Sequence, residues 1–311
     1  MQYNPPSQLF SSHLFYSNPD HLNHTPELSK MSQRRIVLVT GSNRGIGYEA
    51  VKYLSQQLPH AKILLSSRSV DSGNAAVKKM QAEAPNHDFS NVEVIQLDIT
   101  DSESLANAVQ TVQQKYGQLT DLLHNTGIAD VKGDLHTPAI LDVNVRCAKD
   151  TVEAFLPIIP AKTGRISLVS SQVGAWYAAA ADPELQGRLN DVSKNDYTTI
   201  AKLINDWIAF SQGEPSELKW NPPNDMLSSA YGASKALVTA WVRHFAQTET
   251  KVPIAIDCPG YCQTELTGGQ GTRSAAQGAW SVAWPLLNDF ESGHFYQDGK
   301  DLPHVYPMPS W

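Results

Sequence analysis

Tyr231 and Lys235 are the pair of side chains in this sequence whose types and spacing point most directly to chemistry. Apolar residues recur at helical spacing from residue 230 to 248, so residues four apart should lie one turn apart on one helix face. A free tyrosine has a pKa of about 10, and a nearby ammonium group favours the phenolate. The pair is therefore predicted to exchange protons near neutral pH, although the same spacing also occurs on ordinary solvated helices.

A glycine-rich turn near the start of the chain offers a place for a nucleotide. A β-branched apolar run, residues 36–40, leads directly into this turn, and a helical pattern follows from residue 48 to 54. A dinucleotide site needs this context, because glycines let the backbone approach a pyrophosphate and the helix N-terminus offers it free N–H groups. The turn consists of Gly41, Ser42, Asn43, Arg44, Gly45, Ile46 and Gly47.

These two motifs resemble those of the short-chain dehydrogenase/reductase family, and most closely those of its monomeric NADPH-dependent carbonyl reductases. Residues 40–47 are similar to the family's Thr-Gly-x-x-x-Gly-x-Gly turn, and residues 231–235 to its Tyr-x-x-x-Lys pair. The resemblance covers the chain from about Ser32 to the C-terminus. Further matches, in the family's order, are Asp98 and Ile99, then Asn125, Thr126 and Gly127, then Asn144, Ser171, and finally Pro259, Gly260 and Thr264.

The resemblance implies a catalytic set and a reaction. Tyr231 would donate a proton to a carbonyl oxygen, Lys235 would hold the ribose and lower the pKa of the phenol, and Ser171 would hydrogen-bond the same oxygen. Asn144 would fix a water that links Lys235 to solvent. Ser171 is preferred to Ser170 because the second serine of the family's pair faces the cofactor. The other matching residues and the glycine-rich turn would bind the cofactor.

The sequence departs from the family at three of these positions. His124 and Thr126 replace the small or amide residues that are usual after the fourth strand, which affects the expected packing under the adenosine. Tyr261 stands where carbonyl reductases often carry Trp. Tyr261 and Trp176 are expected to line the substrate site and to favour an apolar or aromatic carbonyl compound, although core packing would explain either aromatic equally well.

The charges after the second predicted strand indicate which cofactor is bound. An acidic residue there would bind the ribose hydroxyls and repel a 2′-phosphate, whereas arginine accommodates that phosphate. The strand 63–66 is followed by Arg68, with no acid beside it, and Arg44 lies in the glycine-rich turn. Two cations without an acid predict NADP(H).

Alternating strand and helix patterns predict an α/β fold with a doubly wound parallel sheet, the Rossmann fold, in a single domain over residues 32–311. Strands are expected at 36–40, 63–66, 92–97, 119–123, 166–170, 254–257 and 294–296. Helices are expected at 70–83, 102–116 and 141–156, besides the one that carries Tyr231.

A helical insertion, at about residues 175–227, is predicted just before Tyr231. Asp182 and Pro183 have the types of a helix cap and first residue. Apolar residues at 200, 203, 204, 207 and 208 follow the spacing of an amphipathic helix. The resemblance to monomeric carbonyl reductases implies that the insertion covers the surface on which other members oligomerise, so a monomer is expected. A docking face for another protein is the alternative.

Composition limits the partners and the compartment. A net charge of −7 argues against nucleic acid or an anionic membrane as partner, and no apolar run approaches the length of a membrane span. Three scattered cysteines predict a reducing compartment, the cytoplasm. Residues 1–31, rich in Asn, Pro, Ser and His, read as a disordered extension. His21 and His24 in it lack a third ligand, so no metal site is predicted.

The resemblance thus implies reduction of a small carbonyl compound, but two other functions share much of this pattern. One is a protein of the same fold that binds NADP(H) as a sensor or scaffold, for which the full set of catalytic residues would be unnecessary. The other is an NAD(P)-dependent alcohol or steroid dehydrogenase, and its NAD-dependent form would require an acid near Arg68.

Overall fold

One eight-stranded sheet forms the centre of the computed structural model, which describes residues 35–130, 137–221 and 229–307. The strand order is β3-β2-β1-β4-β5-β6-β7-β8. The first seven strands are parallel, and β8 pairs antiparallel with β7. The strands are β1 (Ile36–Val39), β2 (Lys62–Ser67), β3 (Val92–Gln96), β4 (Asp121–His124), β5 (Arg165–Val169), β6 (Ile254–Asp257), β7 (Phe295–Gln297) and β8 (Lys300–Leu302). The predicted doubly wound α/β fold is confirmed.

Helices cover both faces of this sheet. They are α1 (Gly45–Gln57), α2 (Val70–Glu83), α3 (Ser102–Tyr116), α4 (Thr137–Leu141), α5 (Ala148–Phe155), α6 (Gln172–Ala180), α7 (Pro183–Asn190), α8 (Tyr197–Ser211), α9 (Ala230–Thr248) and α10 (Ala275–Leu287). Along β1, Val37 and Val39 pack toward α1, α2 and α10, whereas Leu38 packs toward α3, α5 and α9. Alternate residues of a strand point to opposite faces, so strands that are apolar throughout are buried on both sides.

Side-chain caps explain why several helices begin where the sequence predicts. Ser69, Asp101 and Ser229 each accept a hydrogen bond from a backbone N–H in the first turn of α2, α3 and α9. Gly117 ends α3 with a φ of 79°, in the region that favours glycine. The predicted bounds of these three helices agree with the structure.

Two elements differ from the prediction. The helix expected over 141–156 contains a π-helical segment, Asp142–Cys147, between α4 and α5. The second is β8, which was not predicted because Lys300 and Asp301 interrupt any apolar run. Exposed charges of this kind are common on edge strands, since they disfavour pairing with another chain.

The insertion between β5 and α9 packs on the chain's own helices. Ile200, Leu203 and Trp207 of α8 are buried, which confirms the predicted amphipathic helix. The Lys149 ammonium of α5 lies 4.7 Å from the ring centre of Tyr197 at the start of α8. In the described residues the insertion therefore packs against α9 and contacts α5 at Lys149, while positions 222–227 of its predicted range lie outside them.

Helix α6 approaches α9 unusually closely. A Cβ added to Gly174 would lie 2.5 Å from the carbonyl carbon of Lys235, a distance that backbone atoms do not tolerate. Glycine is therefore required at this crossing. The predicted N-terminal extension, residues 1–31, lies outside the described residues. Within the described ranges, no helix combines the length and apolar content needed to cross a bilayer.

Candidate active site

The carboxyl ends of β1 and β4 are joined by hydrogen bonds around Thr40. Its Oγ1 accepts from the backbone N–H groups of Asn125 and Thr126, each at 3.0 Å. The Asn125 amide in turn donates to the carbonyl oxygens of Thr40 and Gly41, at 3.1 and 3.2 Å. The Asn125 side chain therefore holds the glycine-rich turn in place.

The glycine-rich turn has the shape of a phosphate cradle. Gly41 and Gly45 have φ values of 60° and 58°, and a Cβ on Gly47 would lie 2.6 Å from the Gly41 carbonyl oxygen. No side chain caps the start of α1, and its first turn contains no acidic residue. The buried Thr126 Oγ1 also lacks a hydrogen-bond partner among the described residues. These features fit an anionic dinucleotide.

Tyr231 and Ser171 are brought together at the end of β5. The Ser171 hydroxyl lies near enough to the phenol to lower its pKa, and so opposes part of the effect of burial. Ser170 is buried instead, where its Oγ contacts Thr239 Oγ1 at 2.7 Å and the Lys235 carbonyl oxygen at 3.2 Å. The structure thus places Ser171, rather than Ser170, beside the phenol.

The Lys235 ammonium lies 5.7 Å from the ring centre of Tyr231 and donates to the Val169 carbonyl oxygen at 3.0 Å. Burial lowers the pKa of Lys235 to about 8. Burial also raises the pKa of Tyr231 to about 12, so the expected lowering of the phenol pKa is wrong for the protein alone. Loss of solvent is the largest cause of this rise, and the Ser171 hydroxyl offsets it only in part. At neutral pH the phenol is protonated and can donate a proton.

Asn144, in the π-helical segment, links the loop after β4 to α9. Its Oδ1 accepts from the Ile128 N–H at 2.8 Å. Its Nδ2 donates to the Ile128 carbonyl oxygen and to Ser234 Oγ, at 2.9 and 3.0 Å. A Cβ on Gly127 would lie 3.2 Å from Asn144 Oδ1 and 3.5 Å from Lys235 Nζ, so glycine leaves space beside the ammonium.

The two arginines that predict NADP(H) lie in different surroundings. Arg68 is exposed after β2, and its guanidinium forms no ion pair with any described residue. Arg44 is also exposed, but its Nη1 lies 2.5 Å from Glu265 Oε2. A Cβ on Gly45 would lie 3.7 Å from the Thr264 methyl group, so the loop after β6 contacts the glycine-rich turn.

Two further loops complete this edge of the sheet. Asp98 follows β3, and its Oδ1 accepts from the N–H and Oγ1 of Thr100, at 3.0 and 2.7 Å. Ile99 between them is buried. Pro259 and Gly260 follow β6, and Gly260 has a φ of 75°. These four predicted residues therefore lie at the carboxyl ends of strands, as does Thr264 farther along the loop after β6.

Among the aromatics proposed for the substrate site, Trp176 is partly buried and Tyr261 is exposed. The Trp176 ring packs edge-on against Tyr306, with ring centres 6.4 Å apart. The Tyr261 hydroxyl contacts Gln270 Oε1 at 3.2 Å, and 43% of Tyr261 is exposed. Tyr306 was missed because it follows β8, where no motif or periodicity marks it.

Two buried side chains near the site are uncharged at neutral pH. His124 has no hydrogen-bond partner for either ring nitrogen among the described residues, and burial, with Lys235 nearby, lowers its pKa to about 3. Cys258 accepts hydrogen bonds from the N–H groups of Gln172 and Gly260, each at 3.4 Å. Burial raises the pKa of the Cys258 thiol to about 11.

Comparison with known proteins agrees with this fold and geometry. A family model described as short chain dehydrogenase matches residues 35–181. Carbonyl reductase (NADPH) 1 of Rattus norvegicus is 30% identical to this chain, over 88% of the chain and 99% of the rat protein. The chain belongs to the short-chain dehydrogenase/reductase family, whose members are oxidoreductases that bind a nicotinamide cofactor.

Two further proteins that are similar to this chain have names other than carbonyl reductase. The (+)-neomenthol dehydrogenase of Capsicum annuum is 26% identical over 86% of this chain and 96% of its own. Among solved structures, salutaridine reductase from Papaver somniferum matches with a TM-score of 0.72 and 26% identity, over 85% of this chain and 99% of its own.

Proposed function

We propose that the protein is an NADPH-dependent carbonyl reductase that reduces an aldehyde, ketone or quinone to the alcohol. The observation that carries this proposal is the Lys235 ammonium 5.7 Å from the centre of the Tyr231 ring, with the Ser171 hydroxyl near the phenol. The similarity to carbonyl reductase (NADPH) 1 of the rat supports the same activity.

The four predicted catalytic residues each have a role in the proposed reaction. When bound, NADPH would supply the hydride that reduces the carbonyl carbon. Tyr231 would donate its proton to the carbonyl oxygen, while Ser171 would hydrogen-bond the same oxygen as negative charge develops there. Lys235 would hold the ribose hydroxyls. Asn144 would keep the loop after β4 against α9 and position a water next to Lys235.

The cofactor would lie along the carboxyl edge of the sheet. The turn of Gly41 to Gly47 would hold the pyrophosphate, with the loops that follow β3, β4 and β6 on either side. Arg44 and Arg68 would bind the 2′-phosphate, since their guanidinium groups can pair with phosphate oxygens in a bidentate manner. The absence of an acid directly after β2 supports NADPH over NADH.

The proposal is tested by following NADPH consumption against a panel of aldehydes, quinones, diketones and keto-steroids. A cyclic terpene ketone belongs in the panel because of the similarity to (+)-neomenthol dehydrogenase. We expect at least one aromatic or apolar carbonyl compound to be reduced, and more slowly with NADH. Tight NADPH binding without turnover of any compound would instead support the sensor or scaffold alternative.

The affinity for NADPH should fall as the pH rises through about 8. Lys235 has a pKa of about 8 in the protein alone, so its ammonium is present below that pH and lost above it. Fluorescence titration of NADPH on both sides of pH 8 would measure the change. Lys235→Met should weaken binding at pH 7 and abolish this pH dependence, whereas Lys149→Met on α5 should retain it. Constant affinity across this range would contradict the role of Lys235.

We also propose that the protein is a monomer, because α8 lies over α5 and α9. Sedimentation at micromolar concentration should give a mass near 34.1 kDa. A mass near twice that value would contradict the proposal. All three cysteines are free, which supports a reducing compartment such as the cytoplasm.

A further inference from the structure

A second polar groove lies at the edge of the sheet opposite the candidate active site. The N–H of Gly293 at its border donates to the carbonyl oxygen of Ile254, the first residue of β6. The site around Tyr231 lies at the other ends of these parallel strands. The groove has a volume of about 510 Å³, within the range of small-molecule pockets.

Arg243, in the C-terminal half of α9, lines this groove, and its guanidinium has no partner among the described residues. It forms no hydrogen bond or ion pair with any described residue, and its Nη1 is buried without a partner. Burial lowers the pKa of its guanidinium, which remains charged at neutral pH. The other two guanidinium nitrogens, Nε and Nη2, are not fully buried and also have no acceptor among the described residues, so an anionic ligand in the groove could pair with them.

The other ionisable groups in or beside the groove are in contact with each other or are neutral. Arg243 is therefore the charged group to which a ligand could bind. Asp301 contacts His294 Nδ1 at 2.7 Å, and Glu291 contacts the other ring nitrogen of His294 at 3.2 Å. His304 lines the groove too, and burial together with Arg243 lowers its pKa to about 4, so it is neutral. Among the described residues that line the groove, one unpaired cation beside a carboxylate favours a singly charged ligand over a dianionic phosphate.

Apolar side chains form part of the groove's wall. Val192 precedes α8, Ala246 lies one turn after Arg243 on α9, and Leu302 ends β8. All three are partly exposed, so they can contact a ligand bound there. Charge and apolar surface in one groove indicate a ligand with an anionic group and a hydrocarbon body.

We propose that this groove binds a small organic monocarboxylate, with the carboxylate on Arg243 and the apolar body against Val192, Ala246 and Leu302. A guanidinium offers two parallel N–H donors, which match the two oxygens of a carboxylate. This site is separate from the proposed catalytic site and does not depend on the carbonyl reductase activity.

Benzoate is a suitable probe, and thermal unfolding and calorimetric titration measure its binding. We expect a saturable rise in the melting temperature of about 3 °C at tenfold excess over the dissociation constant. Acetate should bind more weakly, since it lacks the apolar body. Benzyl alcohol should give no saturable effect, and sodium chloride at equal ionic strength controls for salt.

Two arginine variants locate the site. Arg243→Gln should weaken benzoate binding at least about tenfold, because it removes one charge-assisted pair. Without ligand its melting temperature should be equal to or above that of the unmodified protein, since no ion pair is lost. Arg188→Gln is the matched control on α7, where an exposed arginine lies 3.7 Å from Glu184, and should bind benzoate normally. Arg243→Lys, which keeps the charge, should retain part of the affinity.

Several results would overturn the proposal. One is the absence of any saturable effect of benzoate, up to its solubility limit, beyond that of sodium chloride. Another is an equal effect of benzoate on the unmodified protein and Arg243→Gln, which would place the ligand elsewhere. Competition between benzoate and NADPH would place it at the catalytic edge. None of these results bears on NADPH consumption, so they do not test the proposed function.

Discussion

Replacing Tyr231 with Phe should lower the rate of carbonyl reduction by about 10²–10⁴-fold, the usual contribution of general acid catalysis. The substitution keeps the aromatic ring on α9 and removes only the hydroxyl, which lies near Ser171. NADPH should therefore still bind. Single-turnover rates with an aromatic aldehyde or a diketone, together with NADPH titration, measure both effects.

The matched control is Tyr116→Phe, at the end of α3 and outside the candidate site, which should leave the rate unchanged. Lys235→Met should instead impair both cofactor binding and reduction, because the ammonium is proposed to contact the ribose. If Tyr231→Phe reduces the substrate at more than about a tenth of the normal rate with NADPH bound, the proton comes from another group.

Replacing both Arg44 and Arg68 with Ala should abolish the preference for NADPH over NADH. A hydrogen bond to a charged group contributes about 1.5–3 kcal/mol, so each single variant should weaken NADPH binding by about 10–100-fold. Neither arginine is proposed to contact the part of the cofactor that NADH shares, so NADH affinity should change little. Titration of both cofactors with the unmodified protein and the three variants measures the preference.

Glu265→Gln provides the control for this experiment. It removes the carboxylate that lies 2.5 Å from Arg44 and leaves both arginines in place. The ion pair is exposed, and such pairs contribute about 0–1 kcal/mol, so NADPH affinity should stay equal or rise slightly. Equal affinity of the unmodified protein for NADPH and NADH would contradict the cofactor proposal outright.

The fold and much of the candidate site could be predicted because their signals are local in sequence. The continuous apolar run of β1 and the caps of α2 and α3 depend on neighbouring residues. The pairing of Ser171 with Tyr231 was expected from the family's motif order. The choice of Ser171 over Ser170 agrees with the side-chain placement, because the buried Ser170 faces α9.

Other features depend on contacts that the sequence does not reveal. The pKa of Tyr231 rises mainly because of burial, which the four-residue spacing to Lys235 cannot indicate. Arg44 pairs with Glu265, 221 positions away. The π-helical segment around Asn144 has the same apolar spacing as the helices on either side, so a continuous helix was expected.

Helix α9 lies between the sheet and the insertion, and its residues from Ala230 to Val242 are buried except Tyr231. Gly174 lets α6 pack directly on its backbone at Lys235. Backbone amides in such a segment exchange with solvent only through large unfolding events, so α9 should be among the slowest-exchanging parts of the chain. Tyr231 and Lys235 thus belong to the part of the chain that unfolds last. Folding therefore fixes their relative geometry before any ligand binds.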